Sequence, residues 1–243
     1  MAVFRALTRE GGVSLEKVAH FVAGHSLGEY SALCAAGSFD LPTTAKLLKL
    51  RGQAMQAAVP VGVGAMAALL GADLQLAEKI AAAAAQGEIC TVANDNDPSQ
   101  VVISGHKGAI ERAIEMAREM GAKRAVPLPV SAPFHCPLMQ PAADAMAEAL
   151  GKTVIEPPHV PLYANVTATA VADPTEIERL LVEQVTGMVR WRESIANLSS
   201  AGVAEFVEVG GKVLGPMVKR IAPDAKVTSV VTIEDIEAIA KEL

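Results

Sequence analysis

The chain has 243 residues, a net charge of −6 and a sequence pI near 5.4, with 51% of its residues hydrophobic and only 3% aromatic. That is enough for a sizeable aliphatic core in one large α/β domain, or in one domain carrying a smaller insertion. With no basic run and no aromatic-interleaved patch, nucleic acid and anionic membranes are poor candidates as partners.

Residues 1–10 read as a helix closed by Gly11-Gly12, too short and too charged for a signal peptide, and no apolar segment reaches the length of a membrane span. The apolar run Phe21-Val22-Ala23 ends at Gly24. After Gly28 an alanine- and leucine-rich segment reads as a helix stopping at Gly37. This is strand, tight turn, helix, with Ser26 at the tip and a glycine two places to either side. Both glycines are expected to remove side chains that would collide as strand and helix pack closely. The helix start places free N–H groups beside the serine oxygen, where charge develops during acyl transfer. The same letters, Ser26-Leu27-Gly28-Glu29, also fit an S-x-x-E capping box in which Ser26 only caps the helix.

Asp40-Leu41-Pro42 opens a helix running to about Val59. Its polar face holds Lys46, Lys49, Gln53 and Gln56. Its apolar face holds Leu47, Leu48, Met55 and Ala58, and Arg51 lies among them. An arginine on a buried stripe needs an anion: an internal Asp or Glu, or a substrate carboxylate held in its fork.

The pattern then changes. Residues 65–70, 89–93, 100–104 and 125–130 read as strands, and 74–85 and 109–120 as helices, with a turn at Asn94-Asp95-Asn96-Asp97-Pro98. The order β-α-β-β-α-β is that of a ferredoxin-like unit. The expected organisation is therefore a large α/β domain from residues 1–60 and 131–243, carrying a small ferredoxin-like domain at 61–130. A cleft between the two is the natural ligand site.

The proline-fenced loop Ser131-Ala132-Pro133-Phe134-His135-Cys136-Pro137 follows, then a helix at 138–150, a strand at 160–164 and helices at 175–184 and 191–200. A strand at 204–209, a helix at 212–221, a strand at 227–231 and a helix at 233–243 complete the chain. A serine nucleophile needs a base within hydrogen-bond reach. Among the five histidines, His25 adjoins Ser26 but points away from it on a tight turn. His20, His106 and His159 read as loop or surface residues. His135, where the chain returns from the small unit, is the best base candidate. Cys136 has no helix N-terminus before it and reads as inert. The three cysteines are widely spaced with no C-x-x-C, which argues against disulfides or zinc and for a reduced cytoplasm.

The stretch from Gly24 to Leu33, the helix around Arg51-Gly52-Gln53-Ala54-Met55-Gln56, Gly64-Ala65-Met66-Ala67-Ala68, the segment from Gln100 to Lys107, and Leu128-Pro129-Val130-Ser131 leading to His135 resemble the malonyl-CoA:acyl-carrier-protein transacylase family. The match runs in order through essentially the whole chain. It implies an α/β-hydrolase-like large domain with an inserted ferredoxin-like small domain. It implies malonyl transfer in fatty acid biosynthesis, with coenzyme A thioester and acyl carrier protein as partners, no cofactor or metal, and a cytoplasmic monomer. It further implies Ser26 and His135 as the catalytic pair, Arg51 as the grip on the malonyl carboxylate, the Leu27 N–H as one oxyanion donor and the backbone carbonyl of Gln184 as the group that orients the histidine. Phe134 is similar to the malonyl-selective type of related polyketide acyltransferase domains.

Two departures stand beside the resemblance. The family opens with a strand and a Gly-Gln-Gly-Ser-Gln loop, which supplies the second oxyanion donor and has no counterpart in this sequence. The turn Val209-Gly210-Gly211-Lys212 is also shorter than the family's. A second expectation is therefore an N-terminally truncated member with weak or no activity.

Overall fold

The computed structural model describes residues 1–243. The chain opens with α1 (Ala2–Arg9) and the single-turn α2 (Leu15–Val18), then passes through β1 (Val22–Ala23) into α3 (Leu27–Ala35) and α4 (Leu41–Ala57). Next come β2 (Gly64–Leu70), α5 (Leu74–Ala85), β3 (Cys90–Asp97), β4 (Gln100–His106), α6 (Lys107–Ala117) and β5 (Arg124–Pro127). A 3₁₀ turn at Pro137–Met139 leads into α7 (Gln140–Leu150), followed by β6 (Leu162–Tyr163), β7 (Ala170–Val171), α8 (Pro174–Thr186) and α9 (Trp191–Ser200). The last elements are β8 (Glu205–Val209), α10 (Leu214–Ile221), β9 (Lys226–Val230) and α11 (Ile233–Glu242). No helix is long and apolar enough to cross a membrane.

In the larger part, β1 pairs in parallel with β6, and β7 pairs antiparallel on the far side of β6. Side chains alternate across these short strands. Val22 and Leu162 face a core built from α3, α4, α7 and α8, whereas Phe21, Ala23 and Tyr163 face a second core with α9, α10 and the parallel pair β8–β9. Strands with apolar residues on both faces need helices on both sides, and this sheet has them.

The smaller part is an antiparallel sheet of order β3-β4-β2-β5, with α5 and α6 on one face. Ala67, Leu69, Val101 and Ile103 point to the helices. Met66, Ala68 and Val102 point the other way, towards Leu128 and Phe134 of the chain leading to His135. The connection β2-α5-β3-β4-α6-β5 is the ferredoxin-like one. The fold is thus the expected α/β one with its ferredoxin-like insertion.

Some local expectations fail. Asn94-Asp95-Asn96-Asp97 is no turn: β3 runs to Asp97 through two register shifts, at Val92/Asn94 and Asp95/Asp97. Asn and Asp favour turns, but here each has a partner that rewards extension. The Asp95 N–H donates to the Val189 carbonyl (2.9 Å), and Val189 N–H to Ala93 (2.9 Å). Buried Asp95 receives Arg192 of α9 at 2.8 Å, and buried Asp97 receives Arg220 of α10 at 2.8 Å. This polar strand therefore docks the small sheet on the large part. In addition, β5 stops at Pro127, short of Val130, and α2 and β7 carry no periodicity that could announce them.

Candidate active site

The turn from β1 to α3 leaves Ser26 at φ 53°, ψ −108°, outside the regions a side-chain-bearing residue prefers. Gly24 makes this turn possible: a Cβ there would lie 2.0 Å from the Gly28 carbonyl carbon and oxygen. Gly28 itself is different, since a Cβ on it would meet nothing within 4 Å. Of the two expected collisions, only the one at Gly24 exists. The capping box also fails, because the Ser26 side chain makes no cap hydrogen bond. Ser26 Oγ instead lies 2.8 Å from His135 Nε2.

His135 is buried at φ 56°, and its Nδ1 lies 2.8 Å from the backbone carbonyl oxygen of Gln184 in α8. A carbonyl only accepts, so Nδ1 carries the proton and Nε2 is left to accept from the Ser26 hydroxyl. Burial, reinforced by the charge of Arg51, lowers the His135 pKa to about 3. The imidazole is therefore the free base at neutral pH.

Arg51 of α4 is 6% exposed. Its Nη2 donates to Ser26 Oγ (3.1 Å) and to Gln184 Oε1 (2.9 Å), and its Cζ lies 5.9 Å from the Tyr30 ring centroid. It forms no ion pair, and its Nε is buried with no partner. A guanidinium beside the serine with N–H groups on Nε and Nη1 that have no protein partner can take a carboxylate.

Two residues hold this arrangement and escaped the sequence reading. Asn165, just after β6, accepts the Ser26 N–H on Oδ1 (2.7 Å) and donates from Nδ2 to the Gly24 carbonyl (2.8 Å), stapling the two sides of the turn together. Glu29, the letter that suggested a capping box, turns inward and is 1% exposed. It accepts the Asn165 N–H (3.0 Å) and the Gln184 side-chain amide, which also donates to the Ser26 carbonyl (2.9 Å). Burial raises the Glu29 pKa to about 7.

The N–H of Leu27 opens α3, while those of Gly28 and Glu29 turn back onto the His25 and Ser26 carbonyls (2.9 and 3.0 Å). Leu27 N–H thus has no intrahelical acceptor and lies next to the serine. His25 points away from the serine to Asn96 Oδ1 of β3 (2.8 Å) and towards the Trp191 ring. His106 accepts the Ile89 N–H (2.9 Å), His159 lies 3.1 Å from Glu16, and neither belongs to the site. The buried Cys136 thiol donates to the Pro133 carbonyl (3.1 Å), and burial pushes its pKa up, which suits an inert thiol. Phe134 packs against both the large core and the inner face of the small sheet.

Residues 10–215 match the model of the acyl transferase domain family. The chain belongs to the acyl transferase family. Over 222 residues this acyl transferase is 43% identical to a malonyl CoA-acyl carrier protein transacylase of Escherichia coli strain K12, covering 91% of the chain and 71% of that relative. Its structure is similar to a crystal structure of acyl-carrier-protein-S-malonyltransferase from Bartonella henselae, with a TM-score of 0.95 and 53% identity over 99% of this chain and 78% of that one. It is also similar, with a TM-score of 0.95 and 38% identity, to a malonyl-transacylase solved in complex with a type II PKS acyl-carrier protein, over 100% of this chain and 77% of that one.

Proposed function

We infer that this acyl transferase moves a malonyl group from malonyl-CoA to the phosphopantetheine thiol of acyl carrier protein, through an ester on Ser26. The observation that carries the reading is the unpaired fork of Arg51 held 3.1 Å from an oxygen that is itself 2.8 Å from a neutral imidazole. A hydrolase of neutral esters has no use for that fork. The relatives named above support the choice of acyl group and acceptor.

In the first half-reaction His135 Nε2 takes the Ser26 proton as Oγ attacks the thioester carbonyl. The Leu27 N–H donates to the oxyanion, and the thiol of coenzyme A leaves with the proton from His135. In the second, His135 deprotonates the carrier thiol, which attacks the malonyl ester and returns the serine hydroxyl. A pKa near 3 makes a weak base. The malonyl carboxylate on Arg51 offsets one of the charges that depress His135, so binding the correct acyl group also strengthens the base. The same contact holds the acyl carbonyl in reach of Oγ and then of the incoming thiol.

The test is intact mass after incubation with malonyl-CoA, followed by addition of holo acyl carrier protein. A malonyl adduct on the wild type that is absent from Ser26→Ala, and that passes to the carrier, is the expected result. An adduct that persists in Ser26→Ala removes the serine from its role. Release of free malonate faster than transfer makes the protein a hydrolase.

A further inference from the structure

We propose that Glu29 is a positioning residue for acyl selection: its two oxygens set which end of the Gln184 amide faces Arg51, and so keep the arginine's free edge open for a carboxylate. The proposal rests on the malonyl-transfer reading above.

Two donors converge on Glu29, the Asn165 backbone N–H at 3.0 Å and the Gln184 Nε2 amide. Only a group that accepts at both ends satisfies them, and the carboxylate does so in its ionised form, the one that prevails above about pH 7. With its amide nitrogen committed to Glu29 and to the Ser26 carbonyl, Gln184 has its Oε1 turned to Arg51 Nη2 at 2.9 Å. Gln184 is fully buried, so no water can relieve a wrong orientation. Glu29 also compensates the charge of buried Arg51 without touching it. A carboxylate in direct contact would occupy the fork. One amide further away, it stabilises the guanidinium and leaves Nε without a partner.

Glu29→Gln breaks this logic while nearly preserving shape. An amide at position 29 that accepts from Asn165 must present its own N–H groups to Gln184. Gln184 then flips and turns its N–H groups on Arg51, donor against donor.

The experiment measures kcat and KM for malonyl-CoA and for acetyl-CoA in wild type and Glu29→Gln, with melting curves for both. The expected result is a malonyl-to-acetyl ratio of kcat/KM lowered by about tenfold or more, carried mainly by KM for malonyl-CoA, with acetyl transfer lowered by the smaller factor. Equal losses for both acyl groups, or an unchanged ratio, overturn the proposal. If Glu29→Gln does not fold, the exchange Glu29→Gln with Gln184→Glu keeps one buried acid and one amide but puts the acid directly on Arg51. It is expected to raise KM for malonyl-CoA at least as far, and wild-type malonyl KM there overturns the proposal. Wild-type protein that transfers no malonyl at all would instead overturn the activity itself.

Discussion

The most exposed part of this reasoning concerns Asn165. Replacing it with alanine leaves its backbone bonds to Glu29 and Arg190 in place and removes only the side chain. Two backbone groups lose their partners, the Ser26 N–H held at 2.7 Å and the Gly24 carbonyl held at 2.8 Å. Asn165 is 1% exposed, so water does not readily replace it. At about 1–3 kcal/mol for each orphaned group, the loss is about 2–6 kcal/mol. For a chain of this size each kcal/mol lowers Tm by roughly 2–4 °C, so the midpoint of the range corresponds to a fall of roughly 8–16 °C. Activity should fall further than stability suggests. The φ of 53° at Ser26 persists only while its surroundings hold it, and a serine oxygen displaced by about 1 Å costs roughly a hundredfold in rate. Thermal melting and the rate of malonyl-enzyme formation are the assays. A variant that melts within about 2 °C of wild type and acylates at the wild-type rate would refute the claim that Asn165 holds the turn.

Arg51→Ala should cut kcat/KM for malonyl-CoA by about a hundredfold, since it removes charge-assisted bonds to the acyl carboxylate, while acetyl transfer survives or rises because His135 loses a depressing charge. Equal loss for both substrates would count against the fork. At the turn, Gly24→Ala should abolish soluble active protein, whereas Gly28→Ala should be tolerated, and comparable yields and rates for the two would contradict the asymmetry. Stability against pH carries two opposed slopes. His135 drops from an ordinary 6.5 to about 3 on folding, so the unfolded chain binds more protons between those values and stability rises with pH there. Glu29 rises from 4.5 to about 7, so the folded chain binds more protons and stability falls as pH climbs through that window. The two largely cancel between about pH 4.5 and 6.5. Glu29→Gln should therefore give a Tm that climbs with pH across that window, and His135→Ala one that declines, with parallel profiles as the failing result.

What the sequence showed of the site was what nearest neighbours or residue type could carry. The elbow is legible because strand, glycine, serine and helix stand side by side, and Arg51 because a charge on an apolar helical stripe is conspicuous. The small sheet was legible because two periodicities alternate in a fixed order. Glu29 was misread, since its letters fit a local cap and the partners that draw it inward, Asn165 and Gln184, come from distant elements. Asn165 sits in Ala-Asn-Val, where nothing local marks it. The Asn94–Asp97 strand failed for a related reason: turn propensity was overridden by arginines on α9 and α10, about a hundred residues downstream. His135 as base was favoured by its place after the small unit, while the role of the Gln184 carbonyl, a group every residue has, came only through the family resemblance.

The partners of the Ser26 turn lie far along the chain. His25 meets a side chain 71 residues later, the serine hydroxyl its base 109 later, the serine N–H its asparagine 139 later, and the serine carbonyl its glutamine 158 later. Each closure spends loop entropy before any contact returns it, so such pairings form late and nearly together. During synthesis the serine leaves the ribosome long before Gln184 does. Until then neither the histidine nor the guanidinium of Arg51 has its Gln184 partner to hold it beside the serine. The serine becomes a nucleophile only once the chain has been made past Gln184 and has folded around it.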